Sequence, residues 1–239
     1  LTNAQGPKTA LVTGGSRGIG LAVARALVRE GVRVALVARG ADELAARAKE
    51  LGNATVVVAA DVSDARGVDR AVGAVREAFG DVPDLLINNA GIFNPKPLHV
   101  LTSEEFERMM KINLIAPFFV LRALLPAWRE RQRGHVITLG SVADRSIFPD
   151  NGAYSASKFG IRAMHEVLRA ETKGTGVRAT LVSPSAVDTP IWDTVTLPAN
   201  NRFPPRDKML TADAVADAVV WAATRPANVN VDELRIAAS

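Results

Sequence analysis

Apolar residues come along this chain alternately in short runs and in helical stripes. Thr9 to Thr13 is an apolar run ending in Gly14, which predicts a buried first strand. Val23, Ala26 and Leu27 then repeat at helical spacing. Arg33 to Ala38, Val-rich between Gly31 and Gly40, predicts a second strand, and Thr55 to Ala60 a third. Ser63 is the expected N-cap of a helix running to Phe79. Leu85 to Ile87 predicts strand four. Thr102 and Glu105 form a capping-box pattern for an apolar helix through Met109 and on toward Trp128. His135 to Leu139 reads as a buried strand, and Phe159, Ala163, Val167 and Ala170 return to helical spacing. Val177 to Val182 predicts a sixth strand. Thr211 with Asp213 opens a last helix to Ala223, and Asn228 to Ile236 alternates as a final strand.

Strand and helix therefore alternate, with no linker and no internal repeat. The expectation is an α/β fold in a single domain over residues 1–239, with a parallel sheet covered on both faces. Ligands in such sheets sit beyond the carboxyl ends of the strands. The segment 188–210 is rich in Pro and Asn yet carries Ile191, Trp192, Val195, Leu197 and Phe203, so it is expected to be a substrate-side lid.

Composition narrows the function classes. The chain is 48% hydrophobic and 23% charged, as one globular domain with a large core requires. Net charge is +4, but the basic residues are scattered without interleaved aromatics, so nucleic acid is not an expected partner. The absence of cysteine excludes disulfides, thiolate nucleophiles and cysteine-ligated metals. No His, Asp and Glu cluster stands at metal-ligand spacing, so no metal is expected. Leu1 to Lys8 lacks the apolar core of a signal peptide, and no apolar run approaches a membrane span. A cytoplasmic protein without a membrane partner is the expectation.

Gly14-Gly15-Ser16-Arg17-Gly18-Ile19-Gly20 lies between the first strand and the first helix. That is the context of a diphosphate cradle: glycines let backbone approach the phosphates, and the helix N-terminus offers free N–H groups. No Gly-Lys-Ser/Thr follows, which excludes a P-loop. An acid at the end of the second strand would bond the ribose 2′-hydroxyl of NAD. Ala38 and Arg39 stand there instead, and Arg39 with Arg17 can flank a 2′-phosphate, which favours NADP. The alternative is that both arginines are solvated and Asp42 or Glu43 serves the ribose. Asp61-Val62 follows the third strand, where the carboxylate either meets an adenine amino group or caps the next helix. Asn88-Asn89-Ala90-Gly91 ends the fourth strand; a plain turn is the simple account, but two Asn exceed what a turn requires. Asn113, a poor helix-interior residue, either bonds backbone at a kink or holds a water, and Pro117 supports a break there.

Tyr154 is the only tyrosine, and Lys158 lies four residues on, one helical turn away on the same face. An ammonium beside a phenol favours the phenolate. Bringing a phenol from about pH 10 to neutrality requires about 4 kcal/mol, more than a lysine alone need supply. A surface Tyr and Lys would share this spacing. The Gly140-Ser141 turn after the fifth strand and the distant glycine turn tell against that account.

With these residues the chain resembles the short-chain dehydrogenase/reductase family over nearly its whole length. The cofactor signature matches Thr13 to Gly20, the Asn-Asn-Ala-Gly motif matches Asn88 to Gly91, and Tyr-x-x-x-Lys is Tyr154 to Lys158. Asn113 and Ser141 match the remaining active-site positions. The resemblance implies a seven-stranded doubly wound Rossmann-type sheet and an NADP(H)-dependent oxidoreductase acting on a small carbonyl or secondary alcohol. It implies that Tyr154 moves a proton to or from the substrate oxygen and that Ser141 hydrogen-bonds that oxygen. It implies that Lys158 binds the nicotinamide ribose and lowers the tyrosine's value, and that Asn113 holds a water leading to solvent. Val187 and Thr189 would meet the nicotinamide amide, Asp61 and Val62 the adenine, and Asn89, Ala90 and Gly91 its ribose. A homodimer or homotetramer through the helices of Asn113 and Tyr154 is also implied.

Two departures stand out. Ser185 follows Pro184 where the family often has Gly, so its side chain either narrows the nicotinamide pocket or faces substrate, with Ile191 and Trp192. Val231-Asp232-Glu233 replaces the Val-Asp-Gly-Gly ending common in 3-oxoacyl reductases, and resembles members acting on small carbonyls or hydroxy acids. A non-catalytic NADP-binding sensor or scaffold and a 3-oxoacyl thioester reductase are the competing readings. A methyltransferase would explain neither Tyr154 with Lys158 nor Arg39.

Overall fold

A computed structural model describes residues 6–193, 195 and 203–239. The strands in chain order are β1 (Thr9–Thr13), β2 (Arg33–Ala38), β3 (Thr55–Ala59), β4 (Leu85–Asn88), β5 (Gly134–Leu139), β6 (Val177–Pro184), β7 (Val187–Asp188), β8 (Leu210–Thr211) and β9 (Glu233–Ile236). The helices are α1 (Gly18–Arg29), α2 (Ala41–Leu51), α3 (Ala65–Phe79), α4 (Ser103–Met110), α5 (Ala116–Glu130), α6 (Gly152–Thr172) and α7 (Ala212–Ala223). Seven strands form one parallel sheet in the order β3-β2-β1-β4-β5-β6-β9. Val12 of β1 faces Leu36 on one side and Ile87 on the other, so the strand order reverses at β1 and opens a crevice at its carboxyl end.

The central strands β1, β2, β4, β5 and β6 are buried on both faces, which is why they read as unbroken apolar runs, while the edge strands β3 and β9 are only half-buried. Successive side chains serve opposite layers. Ala10, Val12, Val34, Leu36 and Ile87 pack with Val23 and Leu27 of α1, Leu44 of α2 and Val215 and Val219 of α7. Leu11, Ala35, Val37 and Leu86 pack with Val68, Val72 and Val75 of α3, Leu124 and Trp128 of α5 and Leu168 of α6.

Three local expectations are corrected, and the break expected near Pro117 takes a definite form. Asp64, not Ser63, caps α3: its side chain accepts from Gly67 N at 2.9 Å, while Ser63 N donates to Asp61. The predicted helix toward Trp128 begins on the expected Thr102–Glu105 capping box, and the break expected near Asn113 and Pro117 is a π-helical turn, Lys111–Ile115. Pro117 has no N–H to continue the ladder, and the wider turn accommodates that loss while holding Asn113 inward. The last strand starts at Glu233 rather than Asn228. The Asn230 side chain bonds both Ala179 N and Ala179 O, taking the place of strand backbone. Finally, the continuous helical stretch Ser103–Glu130 is long and apolar enough to cross a membrane by length and composition, which the sequence reading denied. Its apolar character serves packing, since Val120, Leu124 and Trp128 are buried against the sheet layer.

The ends of the expected lid are pinned. β7 pairs with β8, and Arg206 holds Asp188 at 2.5 Å and Asp193 at 2.7 Å. Leu197, with Thr194, Thr196 and the rest of 198–202, lies outside the described residues.

Candidate active site

The glycine turn is built by close approach. Gly14 has φ +65°, and a Cβ there would lie 2.9 Å from Ala90 Cα. A Cβ at Gly20 would fall 2.4 Å from Gly14 O and 2.5 Å from Asn89 Nδ2. The Asn89 carboxamide explains this tightness: its Nδ2 donates to Thr13 O at 2.9 Å and Gly14 O at 3.2 Å. The Thr13 hydroxyl in turn accepts from Asn89 N and Ala90 N. Asn89 thus clamps the turn to the end of β4, which is what the second Asn adds beyond a loop. α1 starts from Arg17 with no side-chain cap and no acid in its first turn, so its N–H groups face the crevice unpaired by side chains.

The end of the crevice beside β2 and β3 carries charge of both signs. Burial pushes the Asp61 carboxyl up, but hydrogen bonds from the Ser63 backbone and hydroxyl, helped by the Arg39 charge, outweigh it and hold the group below its usual range. Glu43 also lines the wall and accepts from the Ser16 hydroxyl at 2.8 Å. Arg17 and Arg39 line the same end, and neither forms a salt bridge among the described residues.

At the far end Tyr154, Ser141 and Lys158 converge on one cavity of about 1180 Å³ that runs back to the glycine turn. Ser141 follows β5, and Tyr154 and Lys158 stand on the first turns of α6. Ser141 stands near enough to the phenol to favour its ionised form. Lys158 Nζ donates to Leu139 O at 2.8 Å and lies 5.6 Å from the centre of the Tyr154 ring. Burial lowers the Lys158 ammonium from 10.5 to about 8, with the Asp144 charge pulling the other way.

The expected lowering of the phenol is not met in the free chain. Burial raises the Tyr154 value, the nearby Ser141 side chain lowers it, and the Asp144 charge raises it further. The ammonium is too far displaced toward Leu139 to dominate. The Asn113 side chain does bond backbone: its Oδ1 accepts from Ile92 N at 2.8 Å, and its Nδ2 donates to Ile92 O at 3.0 Å and Ser157 Oγ at 3.2 Å.

Sequence reasoning missed Asp144. It is fully buried, accepts from Ser183 Oγ at 2.5 Å and Ser141 N at 3.3 Å, and pairs with Arg145 at 2.8 Å. The Ser141-x-x-Asp144 spacing, a capping-box pattern, was the available signal. Phe93, two residues past the Asn-Asn-Ala-Gly motif, was also missed, and it packs edge-on against Tyr154 with ring centres 4.8 Å apart.

The remaining positions divide. Val62, Gly91, Ile191 and Trp192 line the cavity, as does Gly18, whose Cβ position would meet Thr189 at 3.4 Å. Ser185 lines it too, but its hydroxyl accepts from Ala238 N at 3.4 Å, which ties it to the tail. Val187 O accepts from Trp192 Nε1 at 2.9 Å. His165 of α6 is buried with Nδ1 against the Thr138 hydroxyl at 3.2 Å. Among the described residues no group of three His, Cys, Asp or Glu side chains is placed to hold a metal.

Comparison with known proteins bears on the family and the fold. The family profile described as short chain dehydrogenase matches residues 8–199. An uncharacterized oxidoreductase of Staphylococcus epidermidis is 36% identical over 229 residues, covering 96% of each chain. The alcohol dehydrogenase of the archaeon Thermococcus sibiricus, complexed with 5-hydroxy-NADP, superposes with TM-score 0.86 at 34% identity over 95% of each chain. The 3-ketoacyl-(acyl-carrier-protein) reductase of Brucella melitensis, complexed with NADH, gives TM-score 0.87 at 27% identity over 96% of each. By profile, sequence and sheet order alike, this chain belongs to the short chain dehydrogenase family of oxidoreductases.

Proposed function

We propose that the protein transfers a hydride between NADP(H) and a carbonyl or secondary alcohol of a small molecule, with Tyr154 as general acid and base. The observation that carries this reading is the convergence of Tyr154, Ser141 and Lys158 on a cavity continuous with the glycine turn. The residues present fit the cofactor. The Cβ-intolerant turn leaves room for a diphosphate, and the α1 N–H groups favour its charge. Glu43 is engaged by Ser16 and Asp61 by Ser63, while Arg17 and Arg39 have no carboxylate within salt-bridge reach among the described residues, as a 2′-phosphate needs. Asp61 and Val62 would meet the adenine, Lys158 the nicotinamide ribose, and Val187 and Thr189 the nicotinamide.

When bound, the cofactor supplies the hydride, and the chain supplies orientation and a proton. Negative charge develops on the carbonyl oxygen as it is reduced. Ser141 and Tyr154 offer two hydroxyl donors to that oxygen, and the Tyr154 proton completes the alcohol. In the reverse direction the phenolate removes the alcohol proton. Burial keeps the free phenol protonated, which suits the acid role. A homo-oligomer is supported by Phe106, Ile115 and Phe118 on the α4–α5 stretch and by Phe159 and Val167 on α6, all exposed.

NADPH oxidation against a carbonyl panel, with NADH in parallel, tests the reading. Turnover with NADPH favoured over NADH is expected. Tyr154→Phe should lose at least about 100-fold in kcat while still binding NADPH. Equal turnover by the Phe variant, or NADH preference, would overturn the corresponding half of the proposal.

A further inference from the structure

The substrate end of the cavity is faced on one side by aromatic rings. Phe93 stands edge-to-face with Tyr154 at 4.8 Å, Trp192 at 5.2 Å and Phe203 at 5.7 Å. Trp192 and Phe203 close the triangle at 5.3 Å. The ring bearing the reactive hydroxyl therefore belongs to the same wall as three apolar rings from two other parts of the chain.

That wall is braced. Ile92, next to Phe93, is held by Asn113 through both its N–H and its carbonyl. The Trp192 indole N–H is satisfied by Val187 O, so its polar tip is turned to the backbone. Trp192 also begins the segment that Arg206 fastens through Asp188 and Asp193. A preorganised apolar surface rewards a flat apolar group and gives nothing to a charged one. The polar side chains nearby do not compensate. Ser185 is tied to Ala238, and of the two lysines lining this end Lys158 is already bonded to Leu139 O while Lys208 is exposed.

The geometry points to a substrate whose carbonyl carbon carries an aryl, or comparably flat apolar, substituent laid against Phe93, Trp192 and Phe203. This rests on the hydride-transfer function proposed above, and it sets a neutral aryl carbonyl against the hydroxy-acid and acyl-thioester classes. A carboxylate-bearing substrate would find there only exposed Lys208 and a Lys158 already committed to Leu139 O, among the described residues.

The test uses the full-length protein with NADPH and three ketones: 1-phenylethanone, butanone and 3-oxobutanoate. We expect kcat/KM for 1-phenylethanone to exceed that for the other two by at least about 30-fold. In Trp192→Ala the ratio of phenyl ketone to butanone should fall by about 10-fold or more, while Trp192→Phe keeps it within about 3-fold. NADPH binding, followed by its fluorescence, shows that each variant is folded; if Trp192→Ala fails that check, Phe203→Leu takes its place. Faster turnover of 3-oxobutanoate than of the phenyl ketone sinks the inference and leaves hydride transfer standing. An unchanged ratio in Trp192→Ala does the same. Bound NADPH with no ketone reduced defeats the functional proposal itself, and this inference with it.

Discussion

Lys158→Met is expected to make the cofactor-free protein more stable while disabling it. The lysine is buried, and Leu139 O, 2.8 Å away, is the only hydrogen-bond partner found for its ammonium among the described residues. Burial draws its value from 10.5 to about 8, a drop worth about 3 kcal/mol against the folded state wherever the amine is charged. Methionine keeps the apolar stem and removes the charge. Losing the hydrogen bond to Leu139 O costs about 1 kcal/mol, and leaving that carbonyl unpaired can cost somewhat more. A net gain of about 1–2 kcal/mol remains at pH 7, or roughly 2–8 °C in Tm for a domain of this size. The pH dependence has a definite sign. Between pH 8 and 10.5 the unfolded chain holds a proton that the folded chain has lost, so wild-type stability rises with pH across that window and is flat below it on this account. The advantage of Lys158→Met should therefore be full below pH 8 and fade toward pH 10.5. Urea unfolding of both proteins at several pH values between 7 and 10 measures it. A variant less stable than wild type at pH 7, or a difference that does not shrink as pH rises, would refute the assignment of a desolvated ammonium held for function at the expense of stability.

Asp144→Asn should cost about 2–4 kcal/mol, because Asp144 is fully buried and Arg145 loses its carboxylate partner there. Glu50→Gln, which breaks the partly exposed pairs to Arg25 and Arg47, should cost under about 1 kcal/mol; equal losses in guanidinium unfolding would show that burial is not what separates them. His165 is buried and its value falls to about 4, mainly through burial. Since the unfolded imidazole takes its proton near 6.5, about 3 kcal/mol of stability should be lost as pH falls from 6.5 to 4, and His165→Gln should flatten that slope in thermal melts. The same slope in both proteins would place the acid sensitivity elsewhere, His135 being the next group whose value burial depresses.

The chain's own pattern determined the sheet and its covering because the central strands are buried on both faces and the helices covering them on one. Such burial writes itself into local order as runs and stripes, so seven strands were legible to within a few residues. The glycine turn, Asn88 to Gly91, Ser141 and Tyr154 with Lys158 were legible for a related reason. Close backbone approach and a one-turn spacing are constraints between near neighbours, and the residue types carry them directly. What the fold alone decided are relations between distant positions. Asn89 clamps a turn 75 residues before it, Asn113 braces the loop of Phe93, and Asp144 reaches Ser183 across the ends of two strands. The direction of the Tyr154 and Lys158 values belongs to the same class, since it depends on desolvation and on a charge brought close by packing. Spacing along a helix fixes which groups can meet; only the surrounding low-dielectric wall fixes which of them keeps its proton.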